Sequence, residues 1–268
     1  MRILRKSTDQ MAISETELLA LTADMEERHR QTLPKMHAAV AEWVEGEGAE
    51  ERKRVSRRGF LAGGGIVVVG GALLAACGSS STKSATTAAT TATGGGSSAP
   101  VDVQAGAMAA SLENLAVFAY GAGISAATAG KLGTIPPAVV TFATTAKAQH
   151  QDHADAWNAI VSGAGYQKVT TTDPALTSTV QSDFAQVKDA GGLAKLALTL
   201  EDIAAATYLN AIGVLSSRQA ISTAATIQPV EMQHAAILNF VLGTYPVPNA
   251  FAMTTGARPV TDYSVKKA

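Results

Sequence analysis

The sequence is poor in several residue types that mark common classes of protein. It contains one cysteine in 268 residues, which excludes an internal disulfide framework. Its formal net charge is -1, so electrostatics give no reason to expect nucleic acid as a partner. Aromatic residues make up 5% of the chain, and the period-two alternation of half-buried strands is absent from residue 101 onward. These shortages exclude a disulfide-stapled scaffold and a basic nucleic-acid-binding domain.

An export signal is the first feature that the sequence does contain. Basic residues among 52–58 lead directly into an apolar, glycine-rich run over 59–76. A charged region, an apolar region and small residues before a cleavage point are the layout of an export signal. The pair Arg57-Arg58 resembles the twin-arginine signal of the Tat pathway. We therefore predict a Tat signal over 51–77, with the Tat export machinery as a partner.

The single cysteine stands at the end of this signal, in the run Leu74-Ala75-Ala76-Cys77-Gly78, which resembles a lipobox. In proteins with that motif, the cysteine receives a diacylglycerol and becomes the first residue of the mature chain. The resemblance implies a protein anchored by lipid to the outer face of the cytoplasmic membrane or cell envelope. The alternative is a membrane anchor that is never cut, with Cys77 as a bystander. Residues 78–100, nearly all Ser, Thr, Ala and Gly, are predicted to form a flexible linker.

Residues 1–50 precede the signal, and an export signal does not need them. A helix with an apolar stripe is predicted over 15–44, interrupted near Pro34. Two interpretations stay open: a cytoplasmic extension that docks on a partner before export, or a start codon assigned too early. Glu26 and His29 have the i,i+3 spacing of a metal-binding pair, but a solvated charged face is the simpler interpretation, so they are assigned no role.

Residues 101–268 form the folded body, in which alanine-rich runs are separated by Gly and Pro. A short helical piece is predicted to start at Asp173-Pro174 and close at Gly191-Gly192, and the tail from Tyr245 onward is predicted to run extended along the body. The four long helices are predicted over Val103 to Gly130, Pro137 to Gly163, Leu193 to Leu215, and Ser217 to Leu242. Two helical hairpins joined by a long crossover predict an all-α four-helix bundle.

An internal repeat relates the two hairpins. Their first halves carry Ser111-Leu112-Glu113-Asn114-Leu115-Ala116 and Thr199-Leu200-Glu201-Asp202-Ile203-Ala204, each followed by a tyrosine, Tyr120 or Tyr208. Their second halves carry His150-Gln151-Asp152-His153-Ala154 and Glu231-Met232-Gln233-His234-Ala235, each followed by an asparagine, Asn158 or Asn239. A paired match in the same order is far rarer by chance than the match of a single triplet.

The repeated positions carry residue types that bind metal. On a helix, residues i and i+3 share a face, so each of the two pairs with this spacing can point two ligands inward. The two lone glutamates sit among apolar neighbours, where an unpaired carboxylate is costly unless a metal ion or a proton neutralises it. We therefore predict that six residues bind metal: Glu113, His150, His153, Glu201, Glu231 and His234.

This ligand plan resembles the ferritin-like superfamily, particularly its exported, twin-arginine branch, over residues 101–242. Glu113 and Glu201 match the lone helix glutamates of that family, Glu231 and His234 match its Glu-x-x-His motif, and His153 matches the histidine of the second such motif. His150 stands where the family has glutamate. The resemblance implies two metal ions, iron with manganese or zinc as alternatives. The substitution leaves three interpretations open: a nitrogen-rich di-metal centre, a mononuclear site that favours zinc, or a relic that binds weakly.

The resemblance also implies oxidase-type or peroxidase-type redox chemistry in a lipid-anchored protein. The alternative is a non-catalytic binding or interaction bundle of the cell envelope with a degenerate or structural metal site. Tyr120 and Tyr208 lie about 10 Å along their helices from the lone glutamates. They could hydrogen-bond to groups around the ligands or relay electrons, although core packing is the simpler interpretation. No catalytic residue is assigned, and the oligomeric state stays open, a homodimer included.

Overall fold

The computed structural model describes residues 11–54 and 99–268. The predicted signal residues Arg57, Arg58 and Cys77 and most of the predicted linker lie outside the described residues. The helices are α1 (Glu15–Glu45), α2 (Val101–Thr128), α3 (Pro137–Gly163), α4 (Thr177–Gln186), α5 (Ala190–Ile212) and α6 (Arg218–Val241). A further helical stretch over 47–54 follows α1. The described residues contain no β-strand beyond one isolated bridge, so the prediction of an all-α fold is confirmed.

Two helical hairpins form the centre of the fold, as predicted. Helix α2 packs along α3, and α5 packs along α6, while the long connection with α4 crosses between the pairs. Helix α2 is long and apolar enough to cross a membrane by length and composition, but 67% of its most apolar window is buried inside the bundle. Its apolar character is therefore accounted for by a place in the core.

Local sequence signals explain where these helices begin and end. Pro137 occupies the first turn of α3, where its missing N–H has no cost, and Gly130 and Gly133 adopt positive φ in the turn before it. Ser217 caps α6 by accepting a hydrogen bond from the backbone of Ala220. Asp189 caps α5 by accepting from the backbone N–H of Gly192. The predicted start of this helix at residue 193 was late, because Gly191-Gly192 lies in its first turn.

Helix α1 is a fifth long helix, packed against α3 and α6. It fills the space between them, since α3 and α6 make few direct contacts with each other. The predicted interruption near Pro34 is wrong: the helix runs through this residue. Pro34 is exposed, and the buried side chains on either side of it hold the helix against the bundle.

Both ends of α1 are fixed to the rest of the fold. Ser14 and Glu17 form a capping box at its start, and the backbone N–H of Ala12 donates to the carbonyl of Val241 at 2.9 Å. Near its other end α1 lies close to Gly163, where an added Cβ would lie 2.7 Å from Cγ2 of Val44. Glycine at this position therefore allows the close approach of α1 to α3.

The C-terminal tail returns along the bundle. The backbone N–H of Gln167 donates to the carbonyl of Lys266 at 2.8 Å, and a bridge joins Tyr166 to Lys267. Arg258 forms an ion pair with the fully buried carboxylate of Asp173, with 3.0 Å between Nε and Oδ2. The tail thereby covers the crossover connection.

Candidate metal centre

All four helices of the two hairpins bring their predicted ligands to one place in the core. Helices α2 and α5 supply one glutamate each, and α3 and α6 supply one i,i+3 pair each. None of these side chains is more than 2% exposed. The six residues are Glu113, His150, His153, Glu201, Glu231 and His234.

The six side chains form two overlapping groups, each able to hold one ion. One group is Glu113, His150, His153 and Glu231, and the other is His150, Glu201, Glu231 and His234. Within each group, the potential ligand atoms lie within 4.8 Å of one another. His150 and Glu231 belong to both groups. The two candidate ion positions are therefore adjacent and share these two residues.

His150 lies between the two lone glutamates. Its Nδ1 is 2.7 Å from Oε2 of Glu113, and its Nε2 is 3.3 Å from Oε1 of Glu201. A protonated imidazole has two N–H donors and can satisfy both carboxylates at once, whereas a neutral one has a single N–H donor. The geometry therefore fits an imidazolium when no ion is bound.

Glu231 is the most exceptional group of the site. Neither of its carboxylate oxygens has a hydrogen-bond partner among the described residues, although the side chain is 0% exposed. The Nδ1 of His153 also lacks one, while lying 3.0 Å from Oε1 of Glu231. Buried polar atoms left without partners are rare, because each costs free energy. The Glu231 oxygens lie 3.0 to 3.7 Å from nitrogens of His150, His153 and His234, in ion pairs outside hydrogen-bond geometry, and donor atoms placed in this way could hold a common cation.

The two tyrosines of the repeat bond across the site, each to the glutamate of the opposite hairpin. The hydroxyl of Tyr120 on α2 donates to Oε1 of Glu201 on α5, and that of Tyr208 on α5 donates to Oε1 of Glu113 on α2. Tyr208 also accepts a hydrogen bond from the indole of Trp157 at 2.9 Å. The crossed pattern ties the hairpins together and leaves each glutamate one oxygen that the tyrosine does not occupy.

Burial and the neighbouring charges shift the pKa values of these groups in opposite directions. Burial opposes ionisation of Glu113, but the charge of His153 and a hydrogen bond from His150 outweigh it and lower the Glu113 pKa to about 2. Burial likewise opposes protonation of His153, but the Glu113 carboxylate raises its pKa to about 9. The pKa of His150 is raised well above its usual range, because Glu231 and Glu201 outweigh burial. The site thus favours carboxylates paired with imidazolium groups.

The net charge of the site differs with and without metal. Three carboxylates paired with three imidazolium groups would sum to zero in the absence of metal. Two divalent ions with three neutral histidines leave a net charge of +1. Because ligand histidines must be neutral, metal binding requires that the imidazolium protons leave.

Two residues outside the predicted set complete the surroundings of the site. Gln149 on α3 is 1% exposed, and its Oε1 lies 2.8 Å from Nε2 of His234. His29 on α1 is 3% exposed, and its Nε2 lies 3.3 Å from Nε2 of His153. The expectation of a solvated face at His29 was therefore wrong. Its place in the apolar stripe of α1, four residues after buried Met25, is the signal that could have found it.

The asparagines of the repeat act at helix ends and not at the ligands. Asn158 exchanges two hydrogen bonds with the backbone of Val169, at 3.0 and 2.7 Å. Asn239 accepts from the hydroxyl of Thr244 at 2.8 Å, just beyond the end of α6. Both therefore fix the loops that follow their helices.

An apolar cavity of about 250 Å³ lies beside the site. Tyr120 and Phe142 line it, along with residues of α5, α6 and the start of α1. The Phe142 ring packs edge-on against the His234 ring at 6.3 Å between centroids, and Tyr120 stacks on His150 at 5.5 Å. One layer of aromatic side chains therefore separates the cavity from the ligands.

Comparison with known proteins agrees with this geometry. A family model described as a ferritin-like domain matches residues 101–244, which include the six predicted ligands and both tyrosines. No curated protein and no solved structure matches the chain. Because the matched region covers more than half of the 268 residues, the chain belongs to the family of ferritin-like domains.

Proposed function

We propose that this chain binds two metal ions, of which iron is the leading candidate, and carries out redox chemistry with dioxygen or peroxide at the cell envelope. One observation carries the proposal: the buried Glu231 carboxylate has no hydrogen-bond partner among the described residues and lies in the middle of two ligand groups. A cation on either side of Glu231 would satisfy both oxygens. The donor set thus fits a pair of ions.

The donor chemistry indicates how the ligands would be divided. Glu113 and His153 lie on one side of Glu231, and Glu201 and His234 on the other. His150 belongs to both groups, but a neutral imidazole has one lone pair for coordination and serves a single ion. The two positions would therefore differ, one with four protein ligands and one with three. Mixed carboxylate and imidazole ligands suit iron, manganese and zinc.

The redox part of the proposal rests on the surroundings of the site. Two Fe(II) ions bound there would supply electrons to dioxygen or peroxide. The protein's own residues would hold the ligands rigidly, exclude water and keep protons at the tyrosine hydroxyls, whose pKa values burial raises well above the usual range. The apolar cavity beside Tyr120 would admit a small apolar molecule such as dioxygen.

Export and lipid anchoring belong to the same proposal. The sequence over 51–77 supports them, with Arg57-Arg58 before the apolar run and Cys77 at its end. A pathway that carries folded proteins would allow the metal to be bound before export. The tether would hold the bundle at the membrane surface, which suits an individual molecule more than a closed storage cage.

Metal analysis of the full chain tests the proposal. Protein purified without chelators is compared with a Glu231→Ala/His234→Ala variant by elemental analysis and by absorption spectra under oxygen. We expect about two iron or manganese ions per chain, since two ligand groups are present, and loss of both in the variant. Ferric charge-transfer bands that appear in air would support the redox part.

The control is a variant at the exposed histidine His37, which belongs to neither ligand group and should keep its metal. Absence of stoichiometric metal from a folded wild-type protein would contradict the proposal. The neutral set of three carboxylates and three imidazolium groups would then favour the second candidate, a non-catalytic envelope binding bundle whose core needs no metal.

A further inference from the structure

We propose that α1 contributes to the metal centre. Glu26 fixes the orientation of His234, and His29 fixes that of His153. The inference rests on the proposed function, because it concerns how the metal ligands are held. It assigns a role to the segment that precedes the export signal. Glu26 and His29 are positioning residues, since they act through other side chains and do not touch the metal.

The first connection runs from His153 to α1. The Nδ1 of His153 faces Glu113 and Glu231, at 3.7 and 3.0 Å, so this nitrogen is the one that would bind metal. Its proton is then on Nε2, which lies 3.3 Å from Nε2 of His29. His153 therefore donates a hydrogen bond to His29, which must accept it as a neutral imidazole. The Nδ1 of His29 lies 4.0 Å from Oδ2 of Asp152.

The second connection runs from His234 to the same face of α1. The Nδ1 of His234 faces Glu201 at 3.2 Å, and its Nε2 donates to Oε1 of Gln149 at 2.8 Å. The amide of Gln149 is turned so that its nitrogen donates to Oε2 of Glu26, also at 2.8 Å. Glu26 therefore fixes the amide orientation that His234 requires.

The two connections share a simple physical plan. Glu26 and His29 are three residues apart and share one face of α1, the spacing that also pairs ligands on α3 and α6. His29 acts directly on the Nε2 of His153, and Glu26 acts through Gln149 on the Nε2 of His234. In each case this is the ring nitrogen that faces away from the site. A hydrogen bond at that nitrogen selects the tautomer and fixes the ring orientation of a metal-binding histidine. By contrast, both nitrogens of His150 face carboxylates of the site, so it has no such partner.

The position of α1 makes this role specific to it. Helices α3 and α6 carry both i,i+3 pairs but scarcely touch each other, and α1 fills the gap between them. Without α1, the Nε2 of His153 and the amide nitrogen of Gln149 would face the gap between α3 and α6. Outer partners of metal ligands are typically worth about 10- to 100-fold in metal affinity.

The test is a titration of the full chain with Co(II), whose visible absorption reports the geometry of its ligands. His29→Leu removes the hydrogen-bond acceptor and keeps an apolar side chain of similar size. Glu26→Leu removes the acceptor for Gln149. We expect each substitution to weaken Co(II) binding by about 10- to 100-fold and to change the Co(II) absorption spectrum.

Matched controls are available on the same helix. His37→Leu makes the same change at an exposed histidine, and Glu27→Leu makes the same change at an exposed glutamate. Both should bind Co(II) as the wild type does. His29→Gln restores an acceptor at the same place and should recover most of the lost affinity and the original spectrum. A purely structural role of His29 would not predict that recovery.

Each remaining outcome counts against the inference. If His29→Leu and Glu26→Leu bind Co(II) within about twofold of their controls, α1 covers the site without affecting its metal affinity. The proposed metal site itself would then still hold. If His29→Gln is as weak as His29→Leu, the hydrogen bond is not the cause. If the folded wild-type chain binds no Co(II), the proposed function and this inference fail together, which distinguishes that result from the other two.

Discussion

His150 would determine, at the scale of single residues, how protons and the proposed metal ions compete for this site. Its two nitrogens lie close to two carboxylates, so in the absence of metal it acts as a buried cation between them. A glutamate in its place would add a fourth negative charge and would require metal, or a proton, for neutrality. A histidine at this position therefore lowers the negative charge that has to be neutralised when no ion is bound.

The stability of the metal-free protein should depend on pH through these pairs. The folded pKa of Glu113, about 2, lies below its ordinary 4.5, so its stabilisation is present above pH 4.5 and is lost as pH falls through 2. The folded pKa of His153, about 9, lies above its ordinary 6.5, so its stabilisation is present below pH 6.5 and is lost as pH rises through 9.

We therefore expect the free energy of unfolding, measured with urea in the presence of a chelator, to fall between pH 6.5 and 9. A His153→Gln variant should be less stable at pH 6.5 and should lose less stability over the same range. His29 has the opposite dependence: burial, reinforced by the charge of His153, lowers its pKa to about 3, so it costs stability as pH falls below 6.5. An unfolding free energy that rises from pH 6.5 to 9 would contradict these charge assignments.

At the scale of helices, α1 shows what the sequence could and could not predict. Its apolar stripe was visible, and the side chains Leu18, Met25, Met36 and Trp43 are indeed buried. Its partner was not visible, because the faces of α3 and α6 that it contacts carry no signal for a fifth helix. The spacing of Glu26 and His29 does not by itself indicate a role, since charged i,i+3 pairs are common on solvated helices.

The four helices of the two hairpins were predictable for a physical reason. Their repeat carries buried glutamates and histidines, and such groups need partners, so their positions constrain the packing of all four helices. The crossed bonds of Tyr120 and Tyr208 were not predictable, because spacing along one helix does not show which neighbouring helix a side chain meets. The boundaries shifted by about one turn where glycines lay at a helix start, as at Gly191-Gly192.

The docking of α1 can be tested at Trp43, which is 2% exposed and joins the same core cluster as Val103 and Trp157. We expect Trp43→Ala to weaken this docking by about 3 to 5 kcal/mol, as for other buried aromatic truncations. Hydrogen exchange should accelerate in Glu15–Glu45 much more than in Val101–Thr128, because α2 keeps its contacts with α3. Leu19→Ala, at a side chain 44% exposed, is the control and should have little effect. Equal acceleration in both helices would show that they open as one unit.

At the scale of the whole molecule, the position of α1 conflicts with the proposed processing. Residues 47–54 and Ala99 border the same end of the bundle: Arg52 donates to the carbonyl of Gly163, and Ala99 shares a core cluster with Trp43. Cleavage before Cys77 would separate α1 from the rest of the chain. The mature lipoprotein would then keep the six ligands but lose the covalent link to Glu26 and His29.

We therefore expect processing to loosen the metal site. Wild-type protein from the membrane fraction should begin at a lipid-modified Cys77, which mass spectrometry of the N-terminal peptide would detect. A Cys77→Ala variant retains α1 in the same chain, and once it is extracted with detergent its α1 can pack against the bundle. Because α1 holds the two histidines, metal should leave the processed protein faster under a chelator than it leaves the variant, with affinities about 10- to 100-fold apart. If the membrane-bound wild type still contains residues 15–45, Cys77 is a bystander, and the prediction of processing at this residue is wrong.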